Sequence, residues 1–194
     1  MLIHNTAYSL RWLAGPGRQM RQITSGYSGL VRLLKVQPGT LRRFMNLWPP
    51  FAFTGIRIVH LDPKYFNVTV RLREHWWNRN VAGVHFGGSL FAMTDPFWMM
   101  MLLHHLGRDH VVWDKAAEID FVKPGRGELT ARFTLDPADV GRLRKLAAGG
   151  DKVLEWFSVE VRDGSSEVVA RVRKQVYVRL KRDRAVATEG NGNE

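Results

Sequence analysis

Leu90 to Leu103 reads Leu-Phe-Ala-Met-Thr-Asp-Pro-Phe-Trp-Met-Met-Met-Leu-Leu, and only Thr94, Asp95 and Pro96 in it fall outside the apolar set. Gly87-Gly88 and Gly107 bound the segment, so the pattern predicts a helix of about five turns at 3.6 residues each. Its length and its central Asp-Pro pair argue against a membrane span. A helix apolar nearly all round belongs inside a protein core. Pro96 is expected to loosen or kink it, because its ring excludes the hydrogen bond to the carbonyl of Ala92.

On both sides the period changes to two. Upstream, Ile56, Ile58 and His60 alternate with Arg57, Val59 and Leu61; after an Asp62-Pro63 turn, Phe66, Val68, Val70 and Leu72 alternate with Asn67, Thr69 and Arg71. This predicts two antiparallel strands. Before them, Thr40 is expected to cap a short helix through Leu41, Phe44 and Leu47, stopped by Pro49-Pro50. Downstream, Trp113, Ala117, Ile119 and Phe121 share one face of a strand ending at the turn Lys123-Pro124-Gly125-Arg126-Gly127. Leu129, Ala131, Phe133 and Leu135 mark the next strand. Asp136-Pro137 then opens a surface helix as N-cap and first-turn proline, with Val140, Leu143, Leu146 and Ala147 on its apolar face. Val153 to Val161 forms a strand, and Val168, Ala170, Val172, Val176, Val178 and Leu180 line one side of a last one, against Arg171, Arg173, Gln175 and Arg179. The architecture this predicts is α+β, a largely antiparallel sheet wrapped round one apolar helix. The helix needs cover on its other side as well, and a second copy of the chain supplies it.

With 194 residues, 45% hydrophobic and 24% charged, the chain suits one well-filled domain. It contains no cysteine, which excludes disulfides, thiolate metal sites and cysteine nucleophiles. The net charge of +11 is uneven. Met1 to Leu61 carries Arg11, Arg18, Arg21, Arg32, Lys35, Arg42, Arg43 and Arg57 and no acidic residue. Residues 1–39 are therefore expected to form a basic, poorly ordered arm with an anionic surface or ligand as its partner. Residues 183–194 are expected to be a disordered polar tail. No secretory signal or membrane span stands out, and a cytoplasmic location is the expectation.

The core of a family resemblance is Asn80-Val-Ala-Gly-Val-His85-Phe86-Gly87-Gly88-Ser89-Leu90-Phe91-Ala92-Met93-Thr94-Asp95. The segment resembles the hotdog-fold thioesterase superfamily, in its phenylacetyl-CoA thioesterase-like branch. There a Gly-Gly pair opens the central helix, an acidic residue follows the first Gly by eight positions, and an Asn or Gln precedes it by seven; Gly87, Asp95 and Asn80 keep both spacings. Phe121 to Gly127 is similar to that superfamily's strand-turn-strand segment, and the chain as a whole most resembles a bacterial hotdog branch without an assigned function. The resemblance implies a hotdog domain over residues 40–182, a homodimer or tetramer, and an acyl-CoA or acyl-carrier-protein thioester as substrate. No cofactor is expected, and no His/Asp/Glu set in the sequence shows metal-ligand spacing. Many members have His directly before the first Gly; here Phe86 stands there and His85 lies one place earlier, so both enter as pocket residues.

Thioester hydrolysis needs a base or nucleophile and donors for the oxyanion. Gly87 and Gly88 at a helix start provide backbone N–H groups and close approach. Asp95 is the only acidic residue between Glu74 and Asp109, and a carboxylate in an apolar helix, with its pKa raised, can serve as base or nucleophile. Eight residues span about 12 Å along an ideal helix, too far for one helix to bring both groups to one atom. The family's dimer places Asp95 of one subunit opposite Gly87 and Asn80 of the other, with Asn80 orienting the water or the thioester carbonyl.

Each assignment has a structural competitor. Asp95 can be a buried carboxylate satisfied by Asn or Arg, and the glycines can serve only close packing. Met99-Met100-Met101 is core packing or an acyl-chain lining, with Met99 as the pocket candidate. His104-His105 read as residues favoured at a helix C-terminus rather than as metal ligands. Lys115, Lys123 and Arg126 are either solvated strand-end charges or contacts to CoA phosphates. Two further function classes stay beside the thioesterase. One is a non-catalytic acyl-CoA or lipid-binding hotdog protein using the same groove. The other is a peripheral membrane or nucleic-acid binder acting through the basic arm, where Trp12, Tyr27 and Trp48 near arginines suit a membrane interface while no nucleic-acid-binding signature is present.

Overall fold

A computed structural model describes residues 36–181, so the expected arm up to residue 35 and the tail beyond 181 lie outside the described residues. The chain runs α1 (Pro38–Leu47), α2 (Pro49–Ala52), β1 (Ile56–Leu61), β2 (Asn67–Leu72), a 3₁₀ turn (Trp76–Asn78), α3 (Gly87–Ala92), α4 (Phe97–Leu106), β3 (His110–Phe121), β4 (Leu129–Thr134), α5 (Pro137–Leu146), β5 (Val153–Arg162) and β6 (Val168–Leu180). All six strands join one antiparallel sheet in the order β1-β2-β4-β5-β6-β3. The helices lie on one face of it, which is the architecture the sequence predicted.

The apolar segment is two helices rather than one. α3 ends at Ala92 and α4 begins at Phe97, because Pro96 supplies no N–H and its ring cannot follow an unbroken helix. The Asp95–Pro96 peptide is cis. α4 buries Phe97, Trp98, Met100, Met101, Leu102, Leu103 and Leu106 against the sheet. Phe97 sits between the rings of Phe133 on β4 and Phe51 on α2, with centroids at 4.9 and 6.1 Å. Trp98 stacks on Phe157 of β5 at 4.7 Å.

The strand phases hold on β2 and β4, where Val68, Val70, Leu72, Leu129, Ala131, Phe133 and Leu135 are all buried. Two bulges overturn the predicted phase elsewhere. The β1 register shifts between Ile58 and His60, so Leu61 is buried and His60 exposed. The β3 register shifts between Asp114 and Ala116, which moves Trp113 to the outer face, stacked on Tyr177 at 5.0 Å. A bulge adds one residue to a strand, and with a period of two that exchanges its faces.

Smaller corrections concern the helices. α1 starts at Pro38 with Gln37 as N-cap, so Thr40 lies within the first turn and Phe44 and Leu47 point to solvent. Asp136 does cap α5, accepting from Ala138 N at 2.8 Å, but Leu146 is exposed.

The two edges of the sheet differ. At β1, Asn46 of α1 accepts from Ile58 N at 2.7 Å and donates to Ile58 O at 3.0 Å. Arg42 donates to Val59 O at 3.0 Å. These side chains occupy backbone groups that an edge strand otherwise presents to another strand. The other edge, the 12-residue β3, has β6 on one side and no strand on the other among the described residues.

Phe97→Ala removes a fully buried ring from between two others. It should cost about 3–5 kcal/mol, read as a lowered urea midpoint with the m-value unchanged.

Candidate active site

Asp95 lies in the break between α3 and α4, not inside a helix. The apolar surroundings expected for it are replaced by an ion pair: Lys174 Nζ donates to Asp95 Oδ1 at 2.5 Å. The Lys174 side chain is 3% exposed, whereas that of Asp95 is 47% exposed. The buried ammonium also stands 3.6 Å from Asp114 Oδ2 and 4.9 Å from the Phe91 ring centroid, over its face. One buried cation thus meets two carboxylates and an aromatic face.

The elements bring these groups together for separate reasons. Lys174 sits on β6 opposite Ala117 of β3, and Asp114 sits opposite Val176. Lys174 and Asp114 are therefore diagonal neighbours on the helix-facing side of the sheet. Asp114 faces inward because the bulge at Lys115 changes the phase of β3. Phe91 comes from α3, and the helix break presents Asp95 from above.

Asp114 has one carboxylate oxygen, Oδ1, buried with no hydrogen-bond donor among the described residues. Burial pushes its carboxyl up to about 6 from an ordinary 3.8; the Lys174 charge works against that rise, and the charge and hydrogen bonding of Asp95 add to it.

Neither Lys174 nor Asp114 was singled out from the sequence. Lys174 did carry a signal: it occupies the inward parity of β6, between Val172 and Val176, in a row otherwise made of apolar residues. A lysine at such a position requires a buried counter-charge. Asp114 carried none, since only the bulge turns it inward.

The other candidates lie in the loop before α3 and at its start, the opposite end of that helix from Asp95. Asn80 Oδ1 accepts from Ala82 N at 2.9 Å and Val84 N at 3.3 Å, which makes its oxygen the pin of its own turn. His85 is buried and donates from Nε2 to Gly127 O at 2.7 Å, while its backbone N–H donates to Gly125 O at 3.0 Å. Gly127 N in turn donates to Glu74. That bond, foremost, and the nearby Arg79 hold the Glu74 carboxyl below its usual range. His85 and Glu74 therefore clamp the 123–127 turn to the loop that leads into α3.

Gly87 and Gly88 are the first two residues of α3, ahead of its own hydrogen-bond ladder. Both lie beneath aromatic rings. A Cβ on Gly87 would come within 2.9 Å of the Phe121 ring, and one on Gly88 within 2.3 Å of the Phe86 ring. These rings are themselves 52% and 56% exposed. Met99 is half-buried against the core.

Two cations proposed for CoA phosphates are committed to the fold. Lys123 pairs with Asp163 at 2.6 Å and with Glu167, and Arg126 donates to Gly83 O at 3.0 Å. His104 and His105 stack on Tyr65 and Phe66 at 3.9 and 4.1 Å. Among the described residues no group of three His, Cys, Asp or Glu is placed to hold a metal ion, and no helix is long and apolar enough to cross a membrane.

The raised carboxyl of Asp114 has a consequence for stability. The folded state binds this proton more tightly than the unfolded chain, so its contribution is full below about pH 3.8 and is lost as pH rises through about 6. Asp114→Asn should therefore gain stability relative to wild type as pH rises from 4 to 7.5, by at most about 3 kcal/mol. Urea midpoints of both proteins across that range measure it.

Solved structures share this architecture at low sequence identity. Protein PA5026 of Pseudomonas aeruginosa, of unknown function and described as a probable thioesterase, superposes with a TM-score of 0.63 at 22% identity, over 72% of this chain and 93% of its own. Thioesterase HI1161 of Haemophilus influenzae gives 0.56 at 14%, over 75% and 92%. The PaaI protein of the E. coli phenylacetic acid degradation operon gives 0.50 at 17%, over 78% and 96%. These likenesses establish the hotdog fold. No curated protein matches the sequence significantly. A family model, the domain of unknown function DUF4442, matches residues 40–178. That span is most of the chain and takes in every strand but the end of β6, so this protein belongs to the DUF4442 family.

Proposed function

We propose that the protein is a thioesterase that hydrolyses an acyl-CoA or acyl-carrier-protein thioester, with Asp95 as the general base or nucleophile. The observation that carries the reading is the Asp95 carboxylate itself, held at one oxygen by a buried ammonium and left half-exposed in the break that follows α3. The half-exposed carboxylates of Glu118 and Glu128 pair with exposed arginines, whereas Asp95 pairs with a cation that is itself buried.

In the general-base form, Asp95 takes a proton from water as the water oxygen attacks the thioester carbonyl. The tetrahedral oxyanion is met by the N–H groups of Gly87 and Gly88. Collapse breaks the carbon–sulfur bond, and the thiolate leaves with the proton, giving a carboxylic acid and a thiol. Gly87 and Asn80 would come from one subunit and Asp95 from its partner. His85 and Phe86 belong to the pocket wall on this reading, His85 by fixing the turn at Gly127 and Phe86 as a ring over the glycines. Gly88 and Met99 would contact the acyl group.

A homodimer is supported by the difference between the sheet edges. α1 covers β1, whereas the outer side of β3 has no strand among the described residues. Phe86, Phe121 and Val122 are exposed beside the α3 start and the end of β3, and apolar surface rarely gathers in this way on a monomer. The likeness to PA5026, a probable thioesterase, and to the thioesterase HI1161 supports the general class of thioesterase-like activity.

Thiol release from short, long and aromatic acyl-CoAs tests the reading. Turnover of one class, reduced about 10²–10⁴-fold in Asp95→Asn with an unchanged circular-dichroism spectrum, sustains it. Saturable acyl-CoA binding without turnover in a folded dimer replaces it with the non-catalytic acyl-binding reading. Sedimentation equilibrium should give twice the monomer mass.

A further inference from the structure

We propose that Lys174 and Asp114 are positioning residues for Asp95, the buried ammonium fixing its carboxylate through Oδ1 and Asp114 deciding, by its own protonation, how firmly it is held. This deepens the thioesterase reading and rests on it for its kinetic consequence.

The geometry has three parts. Lys174 has three donor protons and no acceptor, and its partners among the described residues are Asp95 Oδ1 at 2.5 Å, Asp114 Oδ2 at 3.6 Å and the face of Phe91 at 4.9 Å. At 3% exposure the ammonium is shielded from bulk water, so its carboxylates must satisfy it. Asp95 and Asp114 meet the same Nζ atom, and a hydrogen bond between the two carboxyls requires a proton on one of them.

Asp114 is the carboxyl that takes this proton, because burial favours its neutral form and one of its oxygens has no donor. The other charged groups near it are otherwise occupied. Lys115 is exposed at the bulge. Glu155 of β5, which shares Val176 with Asp114 as a cross-strand partner, is taken by Arg142 at 2.8 Å. The two histidines of α4, His104 and His105, stack instead on Tyr65 and Phe66 beside β2, toward the opposite edge of the sheet from β3.

Two states follow. With Asp114 protonated, its hydroxyl donates to Asp95 and the ammonium belongs to Asp95 alone. Both bonds then compete with a water molecule for the carboxylate lone pairs. When Asp114 ionises, its O–H donor is gone and the ammonium is divided between two carboxylates. Asp95 is then released to accept a proton from water, and hydrolysis should rise with pH as Asp114 titrates.

The kinetic test is kcat/KM against pH for the full chain on whichever acyl-CoA is turned over. Wild type should gain about ten-fold between pH 5 and 7, with a midpoint near the Asp114 value of about 6. Asp114→Asn should lose this limb, staying flat within about two-fold. Lys174→Gln should fall about ten-fold or more at pH 7 and regain part of the loss at higher pH, while Lys174→Arg restores part of it at pH 7. An unchanged limb in Asp114→Asn overturns the proposal.

Carbon-detected NMR titration of the aspartate carboxyls needs no substrate. The Asp114 signal, assigned by its loss in Asp114→Asn, should titrate near 6 in wild type and move upward by about one pH unit or more in Lys174→Gln. A midpoint that stays in place overturns the coupling. If wild type hydrolyses no thioester, the thioesterase reading falls on its own, and this titration alone sustains or overturns the coupling.

Discussion

A lysine ammonium buried in the middle of a sheet is the constraint around which the described chain is arranged. Isolated, such a charge costs far more than any single apolar contact returns, so the fold is bound to supply anions to it. Lys174 receives two, and each requires an interruption of regular structure. Asp95 reaches it because the apolar helix stops at Ala92 and restarts at Phe97. Asp114 reaches it because β3 carries an extra residue at Lys115. The helix break and the bulge, which look like unrelated irregularities along the chain, converge on one Nζ atom.

Around that pair the chain separates rigid from open surface. α1 closes the β1 edge with Asn46 and Arg42, and the clamp of His85 and Glu74 on Gly127 fixes the loop that enters α3. The opposite edge leaves the outer side of β3 without a strand among the described residues, with Phe86, Phe121 and Val122 exposed beside it. On the proposed dimer, a second copy against β3 would change what the half-exposed Asp95 carboxylate faces.

Several features were legible in the sequence because they depend on neighbours along the chain. The buried character of Phe97 to Leu106 follows from composition, and the inward rows of β2 and β4 follow from a period of two. Asp136 as a helix cap follows from local hydrogen bonding. Asp95 stood out as the lone acid in a long apolar region, and the spacing of Asn80, Gly87 and Asp95 carried the resemblance to hotdog proteins. Where the strand phases and the long apolar helix departed from the reading, the cause was an added residue or a break: Leu61 for His60 on β1, Trp113 on the outer face, and one expected helix divided in two.

By itself the sequence determined the fold class and the order of the elements and singled out the carboxylate proposed here as the centre of the site, because periodicity, caps and composition act within a few residues. Only the tertiary structure decided what that carboxylate meets. Lys174 lies 79 positions from Asp95 in the chain, and the contact depends on sheet register, a strand bulge and the gap between two helices acting together. No local pattern encodes such a contact, since each of those three features changes which face a residue presents without changing the residue.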